Sequence, residues 1–414
     1  MPTNPAKWLY PGMRIKRWLF TSFLGMIVFG VGAVLVSQEY VFVSALGIVW
    51  IICGIVLIVM GIGKMIVSLL TLFLPKGERD LVNILYQQRY LERGPKIVVI
   101  GGGHGLSHLI FGLKEYTANI TAIVTVADSG GSSGRLRKEF NIVAPGDIRN
   151  CLVALADAPK LMGELFQFRF SEDSELKGHN FGNLFLTAMV QLTGGDFEKA
   201  VKETSEVLAI RGKVVPSTVS NVHLVAEYMD GTTKEGEAKI PNTNSPVKRI
   251  YLTDEDAKPT NDSLTAIEEA DVIILGPGSL YTSVIPNLII KGMDDAIAKS
   301  SAFKIYICNV MTQHGETDNY TASDHVKALI DHSRQDIINA CLINNNTHAP
   351  AEALSRYEHE QSFPVQPDID KIRDMGYDVA ATDLLGVTDY VRHDSEKLNK
   401  ALIKLIESYR VIKR

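Results

Sequence analysis

A chain of 414 residues with a formal net charge of −5 is long enough for more than one folding unit. Its charge argues against a nucleic-acid binder, which needs a basic face to neutralise phosphates. The four cysteines, Cys53, Cys151, Cys308 and Cys341, form no C-x-x-C pair, which argues against a disulfide framework or a zinc site.

Mean hydropathy is slightly positive at +0.08, and the apolar excess lies at the N-terminus. Residues 18–36 and 41–63 carry no charge. Each approaches the roughly 20 residues that cross a bilayer as a helix. The pattern predicts a two-helix transmembrane hairpin within an N-terminal anchor, residues 1–77. A signal peptide fits poorly, because a second apolar span follows the first with no small-residue cleavage site between them. Lys7, Arg14, Lys16 and Arg17 precede the hairpin and Lys64, Lys76 and Arg79 follow it, whereas the intervening loop holds only Glu39. The positive-inside rule then places both ends in the cytoplasm, so the expected location is the cell membrane, multi-pass, with the remaining domain cytoplasmic. Glycines within both spans favour close helix packing. Residues 64–76 extend the second helix or lie in the interface, and residues 78–95 read as a polar linker helix closed by Gly94 and Pro95.

From Lys96 apolar strand patterns alternate with helical ones. "KIVVI", "ITAIVTVAD", "DVIILGPGS", "FKIYICNVM" and "IINACLINN" read as buried strands. "LSHLIFGLKEYT", "GDIRNCLVALAD", "NFGNLFLTAMVQLTG" and "DFEKAVKETSEVLAI" read as helices, and Asp230-Gly231 sits in a hairpin pattern. The predicted fold of residues 96–414 is α/β, Rossmann-like, with a mainly parallel sheet and a β-hairpin insertion.

The first strand ends in "GGGHG", residues Gly101, Gly102, Gly103, His104 and Gly105. The dinucleotide fingerprint G-x-G-x-x-G fails in both registers, with Leu106 or His108 at the third glycine position, so a nicotinamide enzyme is disfavoured. A strand–glycine–helix turn still offers backbone N–H groups to an anion. The second strand ends in Asp128, followed by Ser129, Gly130 and Gly131 in a glycine- and serine-rich segment, residues 129–140, read as a loop carrying Arg135 and Arg137. Flexible backbone donors, hydroxyls and guanidiniums suit a diphosphate. His179, Asn180 and Asn183 surround a helix start, which Asn180 alternatively caps. Tyr281, Thr282 and Ser283 lie in a further glycine loop, and residues 309–325 form a long polar segment after a strand. There is no Walker lysine motif, no G-x-S-x-G elbow and no H-E-x-x-H.

In order, "GGGHGLS", "VADSGGSSGRLR", "PGDIRNCLVALA", "GHNFGNLFL", "GPGSLYTSVIPNL" and "MTQHGETDNYTASDH" resemble the YvcK branch of the CofD/YvcK superfamily, the gluconeogenesis factors, across about residues 96–410. The resemblance implies binding of a UDP-sugar, UDP-N-acetylglucosamine in particular. It also implies a role in cell shape and wall-precursor supply during gluconeogenic growth, with no reaction securely attached. It carries the nucleotide-sugar contacts to Gly101–Gly105 and, toward the C-terminus, to Tyr357 and Arg392. Two positions depart from the family pattern: His104 stands where threonine is usual and His314 where proline is usual. The CofD branch transfers a phospholactyl group to a deazaflavin and carries a carboxylate-rich loop suited to a metal ion. Here that loop holds one carboxylate and two arginines, which favours diphosphate binding without an obligatory metal.

The leading expectation is a membrane-tethered UDP-sugar sensor. Gly101–Gly105 and Asp128 to Arg137 would hold the diphosphate, Asn180, Asn183 and Tyr281 would line the pocket, and Tyr357 and Arg392 would help hold the nucleotide sugar. Cell-wall synthesis or regulatory proteins are the expected partners, and the oligomeric state stays open. The alternative is a phospho-transferase, with Asp128 as the catalytic or magnesium-binding carboxylate.

Overall fold

The computed structural model describes residues 15–73, 90–157, 160–171, 174–241, 243, 245–348, 361–387 and 391–412. It divides into two units, Met1–Tyr86 and Gln87–Arg414. Residues 78–89 of the expected linker helix lie outside the described residues.

The N-terminal unit contains α1 (Ile15–Val36) and α2 (Val41–Phe73). Glycines let the two backbones approach closely. A Cβ on Gly25 would stand 2.9 Å from the Gly54 carbonyl oxygen, and one on Gly32 would stand 2.9 Å from that of Gly47. Most other side chains of both helices point outward and are apolar, including Phe20, Phe42 and Val59. By length and composition both helices are able to cross a membrane.

Among the described residues the second unit has twelve strands: β1 (Ile97–Gly101), β2 (Ile120–Val124), β3 (Lys213–Pro216), β4 (Leu224–Tyr228), β5 (Thr233–Glu235), β6 (Val247–Leu252), β7 (Val272–Leu275), β8 (Phe303–Ile307), β9 (Ala340–Asn344), β10 (Asp378–Thr382), β11 (Leu385–Val387) and β12 (Val391–His393). Seven form a parallel sheet in the order β10-β9-β8-β7-β1-β2-β3. Helices cover both faces, which is why β1, β7, β8 and β9 are buried at every position and read as unbroken apolar runs. The β4–β5 hairpin turns at Asp230-Gly231 as expected, and β6 extends it to a separate three-stranded antiparallel sheet. A β11–β12 hairpin follows β10.

The helices that frame the site are α3 (Gly103–Leu113), α4 (Gly131–Phe140), α5 (Gly146–Leu155), α6 (Lys160–Gln167) and α7 (Phe181–Leu192). α3 buries Leu106, Leu109, Ile110 and Leu113, one face of a 3.6-residue period. Further along come α8 (Phe197–Leu208), α9 (Asn261–Glu269), α10 (Ile285–Leu288), α11 (Met293–Lys299), α12 (Ala322–Asp331), α13 (Ile369–Asp374) and α14 (Ser395–Ile412). α12 starts with a capping box between Thr321 and Asp324, and α14 buries Leu398, Leu402 and Ile406.

Strand order reverses between β1 and β7. The chain winds outward from β1 through β2 to β3, then returns to the other side of β1 to lay down β7 through β10. In open α/β sheets, ligands bind beyond the strand C-termini at this switch point. Here the loops that meet there are the glycine turn after β1 and "GPGS" after β7.

Candidate functional site

Two cavities, of about 640 and 400 Å³, open at the switch point. His104, Gly105, Gly278 and Ser279 line both, so they form one cleft with a waist at the start of α3. The waist depends on glycine at two positions. Gly103 adopts φ +67°, which L side chains disfavour. At Gly105 a Cβ would stand 2.9 Å from the Pro277 carbonyl oxygen. These contacts bring the α3 N-terminus against the β7 turn, and buried Asn287 donates to the carbonyls of Ser283 and Val284 behind it.

The larger cavity is mixed in character. Val310, Met311, Val391 and Leu398 supply apolar walls, and His108, Arg392 and His393 supply polar ones. His393 Nε2 lies 3.1 Å from the Cys308 carbonyl, and burial pushes its pKa down to about 4. The imidazole is therefore a neutral donor to that carbonyl at ordinary pH.

The smaller cavity is lined almost wholly by polar groups: Thr125, Asp128, Asp147, Glu237, Ser279, Thr282 and Ser283 beside the glycine turn. Asp147 sits in the first turn of α5, beside the Gly103 backbone amide. Burial, reinforced by the Asp128 charge, pushes its pKa up to about 7. Glu237 comes from the turn Glu237–Lys239 in the three-stranded insertion and lies beside the Ser129 backbone amide. Burial and Asp128 push it, too, up to about 7. Asp147 and Glu237 therefore both titrate near neutral pH, because burial and neighbouring like charge resist ionisation in a narrow cleft. Among the described residues, no three His, Cys, Asp or Glu side chains are arranged to hold one metal ion.

A buried relay supports the waist. Ser279 Oγ donates to Gln313 Oε1 at 2.7 Å, and Gln313 Nε2 donates to Glu316 Oε1 at 2.8 Å. Thr282 Oγ1 donates to the same Glu316 oxygen at 3.1 Å. Glu316 is 2% exposed, and burial raises its pKa to about 8. This relay ties the loop after β7 to the loop after β8.

The residues singled out from sequence fall in different places. Gly102, Gly103, His104, Gly105 and Asp128 line the cleft, and Gly101 ends β1 just beneath it. Arg392 lines the larger cavity. Burial first, then the Arg149 and Arg392 charges, lower the pKa of His104. The segment 129–140 differs from its expected loop: from Gly131 it is helix α4. Its serines face inward. Ser132 Oγ accepts the Asn180 N–H at 3.2 Å, and Asn183 Nδ2 donates to Ser133 Oγ at 3.3 Å. Asn180 caps α7, accepting the Asn183 N–H. The Arg137 guanidinium does not line the cleft; it donates to Asn221 Oδ1 at 2.8 Å and to the Val222 carbonyl, and reaches the Ala127 and Asp128 carbonyls at 3.5 Å. Arg135 is exposed and donates to the Lys177 carbonyl at 2.9 Å. Ser129 and Gly130 shape the turn, where the Gly130 N–H donates to Asp128 at 2.8 Å. Tyr281 is buried, its hydroxyl 2.7 Å from that of Tyr320, and lines neither cavity. Tyr357 lies outside the described residues. Asp147 and Glu237 carry no singular signal in the sequence beyond Asp147 heading "GDIRN".

Comparison with known proteins shows the family and the fold. Residues 97–385 match the family described as 2-phospho-L-lactate transferase CofD. The gluconeogenesis factor of Bacillus subtilis (strain 168) is 48% identical over 314 residues, covering 76% of this chain and 98% of that protein. A relative in Nostoc sp. (strain PCC 7120) is 46% identical over 420 residues, covering 96% of this chain and 92% of the relative. A crystal structure of a Bacillus halodurans protein is similar at TM-score 0.73 and 46% identity, covering 75% of this chain and all of that one. The chain belongs to the CofD family, alongside the gluconeogenesis factors.

Proposed function

We propose that this protein is a membrane-tethered binder of a UDP-sugar, UDP-N-acetylglucosamine in particular, acting as a cytoplasmic regulator of cell shape and wall-precursor supply during gluconeogenic growth. The observation that carries the binding part is the two-chambered cleft at the sheet's switch point, with an anion-compatible helix start at its waist. The resemblance of its motifs to the gluconeogenesis factors supports the ligand class and the physiological role. Calorimetric titration of the full-length chain in detergent with UDP-N-acetylglucosamine, with NAD and GDP as comparisons, tests it. Saturable binding at micromolar concentration, tighter than for NAD or GDP, is the expected result. No heat up to millimolar ligand would end this reading.

Tethering rests on α1 and α2. Holding the domain at the cytoplasmic face would raise its local concentration near membrane-bound wall-synthesis or regulatory proteins without new contacts. In cells, the full chain is expected to stay in the membrane pellet after an alkaline carbonate wash, and a chain starting at residue 87 to be released. Release of both would remove the anchor.

A second reading is a phospho-transferase, favoured by the CofD match and by Asp128 sharing a cavity with Asp147. Magnesium is commonly held by one or two carboxylates together with substrate phosphates, and these two residues would be its protein ligands. Bound there, the ion would neutralise charge on a transferring phosphate. Magnesium-dependent turnover lost in Asp128→Asn would favour this reading over the sensor.

A further inference from the structure

The cleft is electrically lopsided, and that constrains which way round a ligand lies in it. One chamber holds Asp128, Asp147 and Glu237 within about 400 Å³, together with the hydroxyls of Thr125, Ser279, Thr282 and Ser283. The other holds Arg392, His108 and His393 among apolar walls, with Asp394 as its acidic group. Between them stand His104, Gly105, Gly278 and Ser279 at the start of α3.

Resting on the UDP-sugar reading above, we infer that the carboxylate chamber is a sugar subsite, in which Asp128, Asp147 and Glu237 take up ligand hydroxyls while the nucleotide lies in the Arg392 chamber. A diphosphate in the carboxylate chamber would meet several acidic groups at close range, and like charges in a desolvated cleft repel strongly. Sugar hydroxyls are neutral and donate to carboxylates, forming charge-assisted hydrogen bonds. A carboxyl that retains its proton in this crowded chamber also donates to a ring or substituent oxygen, so the set offers both acceptors and a donor. The apolar walls of the other chamber suit a base and a ribose. The diphosphate then crosses the waist, where the α3 N-terminus provides backbone N–H groups.

This placement differs from the sequence expectation that Asp128 to Arg137 grip the diphosphate. Neither nearby guanidinium lines the chamber: Arg137 is held by Asn221 and the Val222 carbonyl and reaches the Asp128 backbone carbonyl only at 3.5 Å, and Arg149, whose charge offsets part of that of Asp147 and Asp128, donates to Asn150 Oδ1. The insertion acquires a role as well. Glu237 is delivered by the three-stranded sheet, and the Ala238 N–H donates to Ser129 Oγ at 3.1 Å, locking that sheet to the turn after β2. Part of the sugar selectivity thereby resides in an element separate from the core that supplies Asp128 and Asp147.

The test is titration of the full-length chain in detergent, in EDTA and again with magnesium, using UDP and UDP-N-acetylglucosamine as probes. Wild type is expected to bind the sugar nucleotide at least tenfold tighter than UDP without magnesium. Glu237→Gln and Asp147→Asn are expected to lose most of that preference, with UDP affinity changing by no more than about twofold. Arg392→Ala is expected to weaken both probes in equal proportion. Thermal melts check that each variant is folded, and the conservative Glu237→Gln keeps the test decisive if the α5 variant is unstable. The inference is overturned if the carboxylate variants tighten UDP, as relief of repulsion on a diphosphate would require, or weaken both probes alike. It is also overturned if the sugar preference appears only with magnesium, which would place a metal-bridged diphosphate among the carboxylates. Binding of neither probe by wild type would remove the UDP-sugar reading itself, whereas UDP binding with no sugar preference would remove the subsite alone.

Discussion

Replacing Glu316 by alanine is expected to destabilise the domain by about 3 kcal/mol, whereas glutamine costs about 1 kcal/mol or less. Alanine strands the Gln313 amide and the Thr282 hydroxyl, both of which donate to Glu316 inside the protein, and leaves a void behind the β7 turn. Glutamine keeps the shape and an acceptor oxygen. The contrast is sharp because burial holds the Glu316 pKa at about 8, so the side chain is largely neutral at pH 7 and a neutral isostere changes little. The same shift sets the pH dependence. The folded protein binds a proton at Glu316 that the unfolded chain has released above its ordinary 4.5, so stability is fullest below that value and falls as pH rises toward about 8. Asp147 and Glu237, both raised to about 7, act in the same direction between their ordinary values and pH 7. Thermal denaturation by near-ultraviolet circular dichroism should show the midpoint falling by several degrees between pH 5.5 and pH 8.5. Glu316→Gln should flatten that slope. A midpoint that rises over this range, or a slope unchanged in the glutamine variant, would show that the relay is not protonated in the folded state.

Gly105→Val is expected to weaken UDP-N-acetylglucosamine binding about 100-fold, roughly 2.7 kcal/mol. The added Cβ would meet the Pro277 carbonyl oxygen at 2.9 Å and its carbonyl carbon at 3.1 Å. Both are backbone atoms, so relief comes only by pushing α3 and the β7 turn apart, which distorts the waist shared by the two chambers. Gly105→Ala imposes the same first contact without branching and should cost about tenfold. Calorimetry on both variants, with melting curves to confirm folding, gives the comparison. Wild-type affinity in the valine variant would show that no part of the ligand depends on the waist.

The central strands are legible in the sequence because both faces of β1, β7, β8 and β9 are buried, leaving unbroken apolar runs. β10, "DVAAT", escapes notice because it is an edge strand whose first residue is exposed and whose others are half-buried. α4 escapes for a different reason. Its first turn is Gly-Ser-Ser-Gly, a composition that reads as a loop, and only tertiary contact with Asn180 and Asn183 explains why Ser132 and Ser133 are buried. The glycine turn and Asp128 stand at strand ends and are visible as loops of the α/β pattern, whereas in the glycine loop after β7 the cleft-lining Ser279 goes unnamed beside Tyr281, Thr282 and Ser283. Asp147 and Glu237 are not visible as partners, because spacing along the chain carries no measure of distance across the cleft. Glu237 in particular sits in a hairpin that gives no sign of touching β1. His104 lies at the waist and faces both chambers.

The cleft draws its lining from Gly102 near the start of the domain, Asp147, Glu237 and Ser279 along its length, and Arg392 near its end. No contiguous fragment holds more than part of it. Most of these groups meet through pairings distant in sequence, which form late and slowly during folding. A ligand that spans both chambers therefore recognises only the finished domain and pulls the folding equilibrium toward it by mass action. In a growing cell, the supply of that ligand would then set how much of the protein persists intact as well as how much of it is occupied.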